Sequence, residues 1–204
     1  MYTPKLNRNE NTQEIIEFVK QNGFGILVST VNGKPWATHL PLLINTEGTI
    51  LSGHLARGNA QWRELSHNEE VLVIFTGPHA YISSSWYDHE NVPTWNYISV
   101  HIYGKIRITE GEKMLADLTE LTNKYEKDSV KPVTVEGMSE KFLAAEIRGI
   151  VGIEMDIIRI ESTFKLSQNR DDKNYKVITQ ELEKRKCPLD AKVAQEMKKI
   201  RPLD

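Results

Sequence analysis

The chain has 204 residues, 39% hydrophobic and 26% charged, with 26 Lys and Arg against 28 Asp and Glu for a formal charge of -2. That length suits one domain with an appendage and can bury a sizeable core. The balanced charge excludes a global positive field that would draw the chain onto nucleic acid or anionic lipid, and no apolar stretch approaches the roughly 18 residues of a membrane-spanning helix. The polar start, residues 1–11, has no signal-peptide core, and the one cysteine, Cys187, precludes an intrachain disulfide. These features point to the cytoplasm.

Asn11 and Thr12, with Glu14 after them, predict a helix start. Ile15, Ile16 and Val19 form its apolar face and Gly23 its stop. A strand over 25–31 leads into Asn32-Gly33, the strongest short hairpin signal, because a type I′ turn needs positive φ at both positions. The return strand covers 35–44. A turn at 45–48 leads to a third strand, 49–54. A short helix over 59–66 and a strand over 71–76 follow, with Gly77-Pro78 expected to break that strand and 81–85 to form another. Residues 95–108, rich in aromatic and β-branched side chains, predict a long, bent strand. Helices near 112–125 and 139–147 flank a polar, exposed connection. Residues 151–161 alternate as a half-buried strand, with Gly152, Glu154 and Asp156 on the solvent side. From Asp171 on, the chain is charged and helix-prone, and Asp190 is placed to cap a last helix carrying Val193 and Met197. Six or seven antiparallel strands with helices at the ends predict an α+β barrel.

Four stretches carry candidate chemistry. In residues 53–62 a strand ends and a helix begins. Arg57 offers a fork of donors matched to phosphate, Gly58 lets a ligand approach the backbone, and Asn59 can cap or donate. An exposed arginine on a capped turn is the plainer reading. In residues 36–42, Thr38 and Leu40 share one strand face and His39 and Pro41 the other. Pro41 cannot donate to a ladder, so this segment reads as an edge or bulge. In residues 92–97, Trp95, Asn96 and Tyr97 stand beside a proline turn, as an isoalloxazine ring would need and as an aromatic core would also produce. Residues 165–170, Lys-Leu-Ser-Gln-Asn-Arg, crowd polar donors at a strand end, for ligand or dimer contact or as a turn and cap around Asn169 and Asp171.

These stretches, with Met1-Tyr2-Thr3-Pro4 and residues 77–83, occur in the order found in the PaiB family, FMN-binding negative transcriptional regulators, which the chain resembles over about residues 1 to 200. Ala60 is a departure, since the family usually has proline there. The resemblance implies an antiparallel split β-barrel with peripheral helices and a helical insertion at about 111–148, a flavin domain over 1–170, and a charged helical extension over 171–204. It implies FMN as cofactor and a homodimer with flavin at the subunit interface. The implied flavin-contacting set is Thr38, His39, Leu40, Ser52, Arg57, Gly58, Asn59, Trp95, Asn96, Gln168 and Arg170. Pyridoxamine phosphate oxidases of the wider class carry an arginine-lysine pair where this chain has Arg57 and Gly58. The missing lysine weakens any transfer of oxidase activity and leaves catalytic residues unassigned.

Other readings carry less. The six histidines form no HxxxH or HExxH pair, so a metal is not expected. Haem, which some split barrels bind, is a minor alternative ligand. No helix-turn-helix is evident, and the late basic residues are interleaved with acids, so a DNA or regulatory partner is not visible in the charge. A flavin-dependent oxidoreductase acting on a small molecule is the alternative to a regulator.

Overall fold

The computed structural model describes residues 1–68 and 70–202. Six strands, β1 (Phe24–Val31), β2 (Lys34–Ile44), β3 (Ile50–Ala56), β4 (Val71–Ile82), β5 (Thr94–Thr109) and β6 (Ile150–Lys165), neighbour one another in the order β1-β2-β3-β6-β5-β4 as a barrel. The helices are α1 (Thr12–Gln21), α2 (Trp62–Leu65), α3 (Gly111–Glu126), α4 (Glu140–Arg148), α5 (Asp172–Lys184) and α6 (Pro188–Ile200). The antiparallel α+β barrel expected from the sequence is the fold observed. The chain divides into two compact units, one of residues 1–11, 76–100 and 161–204, the other of residues 12–75 and 101–160.

The second unit begins with α1, which buries Ile15, Ile16, Phe18 and Val19. β1 and β2 then pair antiparallel through the turn at Asn32 (φ 51°) and Gly33 (φ 72°), both left-handed as a type I′ turn requires. The next turn is tied by Asn45, whose Oδ1 accepts from the Thr49 and Ile50 amides at 2.8 and 3.0 Å. Leu27, Leu40, Leu51, Leu55, Phe75, Ile102, Ile153 and Met155 face inward and are buried, each contributing roughly 1.5–3 kcal/mol of apolar burial. β3 pairs with β6 from Ile50–Asp156 to Ala56–Ile150, which brings the α4–β6 junction level with the end of β3.

Three expectations need correction. β4 is not broken at Gly77-Pro78. Pro78 lies past Leu72–Ile74, the β4 residues that pair with β1, so no amide is needed from it there. The buried phase of the strand shifts by one across Pro78-His79, as at a bulge. The helix expected over 59–66 is a single turn, α2, preceded by a non-helical turn. Glu154 is not on a solvent face: it is 3% exposed and ion-paired to Arg107 and, at 2.6 Å, to Lys113. Alternation along β6 is lost because α3 covers this side, with Met114 against Gly152.

In the first unit, Asp171 caps α5 by accepting from the Asn174 amide at 2.9 Å. The charged C-terminal segment forms two amphipathic helices, and α5 and α6 bury Tyr175, Ile178, Leu182, Val193 and Met197 while Lys184, Lys198 and Lys199 stay exposed. Asp190 falls in the first turn of α6 rather than at its cap, because Pro188 opens the helix.

Tyr175 is 1% exposed and donates to the Met197 carbonyl at 2.8 Å, joining the two helices. Burial, partly offset by the Arg201 guanidinium over its ring, pushes its hydroxyl up to about 12. An unfolded tyrosine ionises near about 10. The folded state therefore holds the proton more tightly, and the resulting stability is complete below about pH 10 and lost as pH rises toward about 12. Urea midpoints should fall across that window more steeply for the parent than for Tyr175→Phe, which should lose about 1 kcal/mol at neutral pH with its hydrogen bond. Parallel pH profiles for the two proteins would remove Tyr175 as the cause.

Candidate functional site

The second unit builds its polar site on the turn between β3 and α2. The turn closes with Asn59 N donating to the Ala56 carbonyl at 2.9 Å, while Arg57 N donates to Gly149 O at 2.8 Å. Asn59 reaches in both directions. Its Oδ1 accepts from the Gln61 amide at 3.0 Å and its Nδ2 donates to Thr38 Oγ1 at 2.8 Å. Two residues expected to share a ligand, Thr38 and Asn59, are thus joined directly. Gln61, fully buried, anchors the turn beneath by donating to Ser29 Oγ and the Leu27 carbonyl. Trp62 closes the far side, its indole N–H donating to Arg57 O at 2.8 Å.

Arg57 does not hang free. Its Nε donates to Arg148 O at 2.9 Å and its Nη2 to Ile150 O at 2.8 Å, and its guanidinium stands 5.9 Å from the Trp62 ring centroid. A guanidinium carries five N–H donors, so two are spent on carbonyls and three remain, held in a fixed orientation. A Cβ built on Gly58 meets nothing within 4 Å, so the turn has open space beside it. Among the described residues the Gly58 and Ala60 amides have no acceptor in the chain. A preoriented guanidinium, orphan amides and an open glycine fit the phosphate of a nucleotide-like cofactor. α2 is too short to add a useful helix dipole.

The other expected residues of this unit differ in access. His39 is exposed, its ring 6.1 Å from that of Phe24. Leu40 and Ser52 are 3% and 7% exposed, so their side chains belong to the wall rather than to an open surface. His54 is half-buried, and burial lowers its pKa, keeping it neutral.

The first unit holds the remaining expected residues, two of which, Asn96 and Arg170, line a cleft of about 360 Å³. Asn96 lines it from β5, fully buried, with Oδ1 accepting from Ser167 Oγ at 3.1 Å and Nδ2 against Met197 Sδ at 3.5 Å. Arg170 lines the same cleft and lies 4.9 Å from the Tyr87 ring centroid. Gln168 is a brace: its Oε1 accepts from Leu166 N at 2.7 Å and its Nε2 donates to the Phe164 carbonyl. Trp95 points the other way along the strand, 53% exposed, edge-on to Tyr81. The sequence reading left Thr94 out of the candidate set. Thr94 Oγ1 accepts from Lys165 Nζ at 2.5 Å, a pairing 71 residues apart with no local signal.

The six-stranded antiparallel barrel places the chain in the split-barrel class of folds. Among solved structures, the chain resembles the FAD and heme binding protein of Mycobacterium smegmatis, with TM-score 0.62 and 14% identity, covering 78% of this chain and 73% of that one. It also resembles the flavocytochrome Anf3 of Azotobacter vinelandii, with TM-score 0.58 and 15% identity, covering 82% and 73%. Residues 1–159 match the family described as "Putative FMN-binding domain". The chain is 45% identical to the protease synthase and sporulation protein PAI 2 of Bacillus subtilis (strain 168), over 97% of this chain and 96% of that protein. This chain belongs to the PaiB family of FMN-binding-domain proteins.

Proposed function

We propose that this chain is a cytoplasmic, homodimeric FMN-binding regulator that represses transcription in response to flavin or a small ligand. The observation that carries the cofactor is the turn at residues 57–59. Arg57 is preoriented by two backbone carbonyls, Gly58 is open, and Asn59 is tied to Thr38. Arg57, the Gly58 amide and Thr38 would hold the phosphate end of FMN. His39 would stand on the exposed face of the same strand. Bound FMN supplies a redox-responsive ring, and the chain's own residues bind and orient it.

The dimer reading rests on the outward sheet face. The register places Phe24, Ile26 and Val28 of β1 beside Ala37 of β2 and beside Leu72 and Ile74 of β4 on one side of the sheet. Phe24 is 64% exposed, and Ile26, Val28, Leu72 and Ile74 are half-buried. An apolar face of this kind favours association with an equivalent face.

Titration of the purified protein should quench flavin fluorescence and favour FMN over riboflavin by tenfold or more, since charge-assisted bonds to the phosphate contribute about 1.5–3 kcal/mol each. Light scattering on the same samples should give twice 23.4 kDa. Equal affinity for the two flavins would remove the phosphate assignment, and a monomer that binds FMN stoichiometrically would remove the dimer.

A further inference from the structure

We propose that the cleft of the first unit, whose Asn96 and Arg170 the family resemblance assigns to the flavin, is instead a second ligand site, independent of the flavin, that takes a small anionic metabolite with its phosphate or carboxylate group between Lys165 and Arg170. The lining contains two cations, hydroxyls from Thr94 and Ser167, amides from Asn96 and Asn169, and no carboxylate. Several other cations of the unit are neutralised by carboxylates. Lys173 pairs with Asp88, Arg185 with Asp190, Arg201 with Asp172 and Lys198 with Glu183. Among the described residues neither Lys165 nor Arg170 has an acidic partner.

The two cations are held in place. Lys165 Nζ spends one of its three donors on Thr94 Oγ1. Arg170 packs against the Tyr87 ring, and its guanidinium donates no hydrogen bond among the described residues. The end of β6 and the turn after it, which carry the two cations, are tied down by hydrogen bonds. Ser167 takes a left-handed φ of 61°, a conformation uncommon outside glycine and asparagine. It is fixed by its bond to buried Asn96, by the Gln168 brace, and by Arg201, which donates to the Gln168 and Arg170 carbonyls at 2.7 Å each. Burial first, and the Arg170 charge second, lower the pKa of Lys165. Two like charges in a partly desolvated cleft without a counter-ion oppose each other, and an anion placed between them removes the repulsion. A volume of about 360 Å³ lies at the small end of ligand clefts, which run from about 300 to 1,000 Å³. The occupant is therefore a small oxyanion-bearing molecule.

Inorganic phosphate, pyrophosphate and citrate serve as probes, titrated calorimetrically at constant ionic strength into flavin-free and FMN-saturated protein. At least one should bind at one site per chain with the same affinity in both forms. Phosphate or pyrophosphate as the tightest probe identifies a phosphorylated metabolite, and citrate a carboxylate one. Lys165→Met and Arg170→Gln should each weaken that probe at least tenfold, and the FMN titration of Lys165→Met should follow that of the parent. Binding should weaken as pH rises through the lowered Lys165 pKa. Absence of binding by all probes, or affinity unchanged in both variants, overturns the site. Displacement of the anion by FMN, or loss of FMN affinity in Lys165→Met, overturns its independence and gives the cleft to the flavin. If FMN fails to bind while the anion binds through Lys165, this site stands and the flavin reading alone falls.

Discussion

Gly104→Ala should destabilise the protein by about 3 kcal/mol or more, or prevent it from folding. Gly104 is buried on β5, and a Cβ built there lies 2.1 Å from the Asp156 carbonyl oxygen and 2.9 Å from Met155 Cε. Met155 can turn its methyl aside, but the Asp156 carbonyl is backbone and moves only with β6. Relief would require β5 and β6 to separate locally. The same stretch carries the ion pairs of Arg107 with Glu154 and Asp156. Glu154 is 3% exposed, so displacing its partners would leave a charge poorly compensated. Against a total stability of roughly 5–15 kcal/mol, the loss is large. Gly58→Ala is the natural control, because its Cβ would meet nothing within 4 Å and Gly58 has no left-handed φ. Urea unfolding followed by tryptophan fluorescence should show a strongly lowered midpoint for Gly104→Ala and a nearly unchanged one for Gly58→Ala. A Gly104→Ala midpoint equal to the parent's would contradict the close approach of β5 and β6.

What could be read from sequence was whatever local chemistry decides. Asn32-Gly33 demands a type I′ turn because few other pairs accept positive φ twice, and α1 announces itself through the spacing of Ile15, Ile16 and Val19. The order of the strand segments suggested an antiparallel barrel, and family resemblance carried its split form and the cofactor class, which no single stretch specifies. The failures occur where a distant segment decides. Pro78 breaks a strand only if a neighbour needs its amide, and the pairing with β1 stops at Ile74. Glu154 looked solvent-facing because alternation in β6 is a local pattern, whereas the covering helix α3 comes from an earlier segment. Arg57 read as a free surface fork because its acceptors, Arg148 O and Ile150 O, lie 91 and 93 residues away. Gln61, central to the turn from beneath, had no signal at all, since its partners are Leu27 and Ser29 on β1.

Arg57→Ala should weaken FMN binding by about 2 kcal/mol, roughly 30-fold, while changing riboflavin affinity by less than about threefold. The difference arises because riboflavin lacks the phosphate that the three remaining guanidinium donors would meet. The structure adds a second consequence. Arg57 also ties the end of β3 to the α4–β6 junction through Arg148 O and Ile150 O, and stands over Trp62. Those carbonyls are at an exposed site and can be hydrated when the arginine is lost, so the stability cost should be about 1 kcal/mol rather than a full desolvation penalty. The variant should therefore fold, with a modestly lowered urea midpoint, and be testable as a binder. Arg57→Lys should recover part of the FMN affinity through charge alone, because an ammonium cannot make two carbonyl bonds and present an aligned fork together. Raising the salt concentration should narrow the gap between FMN and riboflavin in the parent and leave it nearly unchanged in Arg57→Ala. A variant that binds FMN as tightly as the parent would exclude Arg57 from the phosphate site. A variant that loses both flavins equally would assign Arg57 to the architecture of the turn rather than to the ligand.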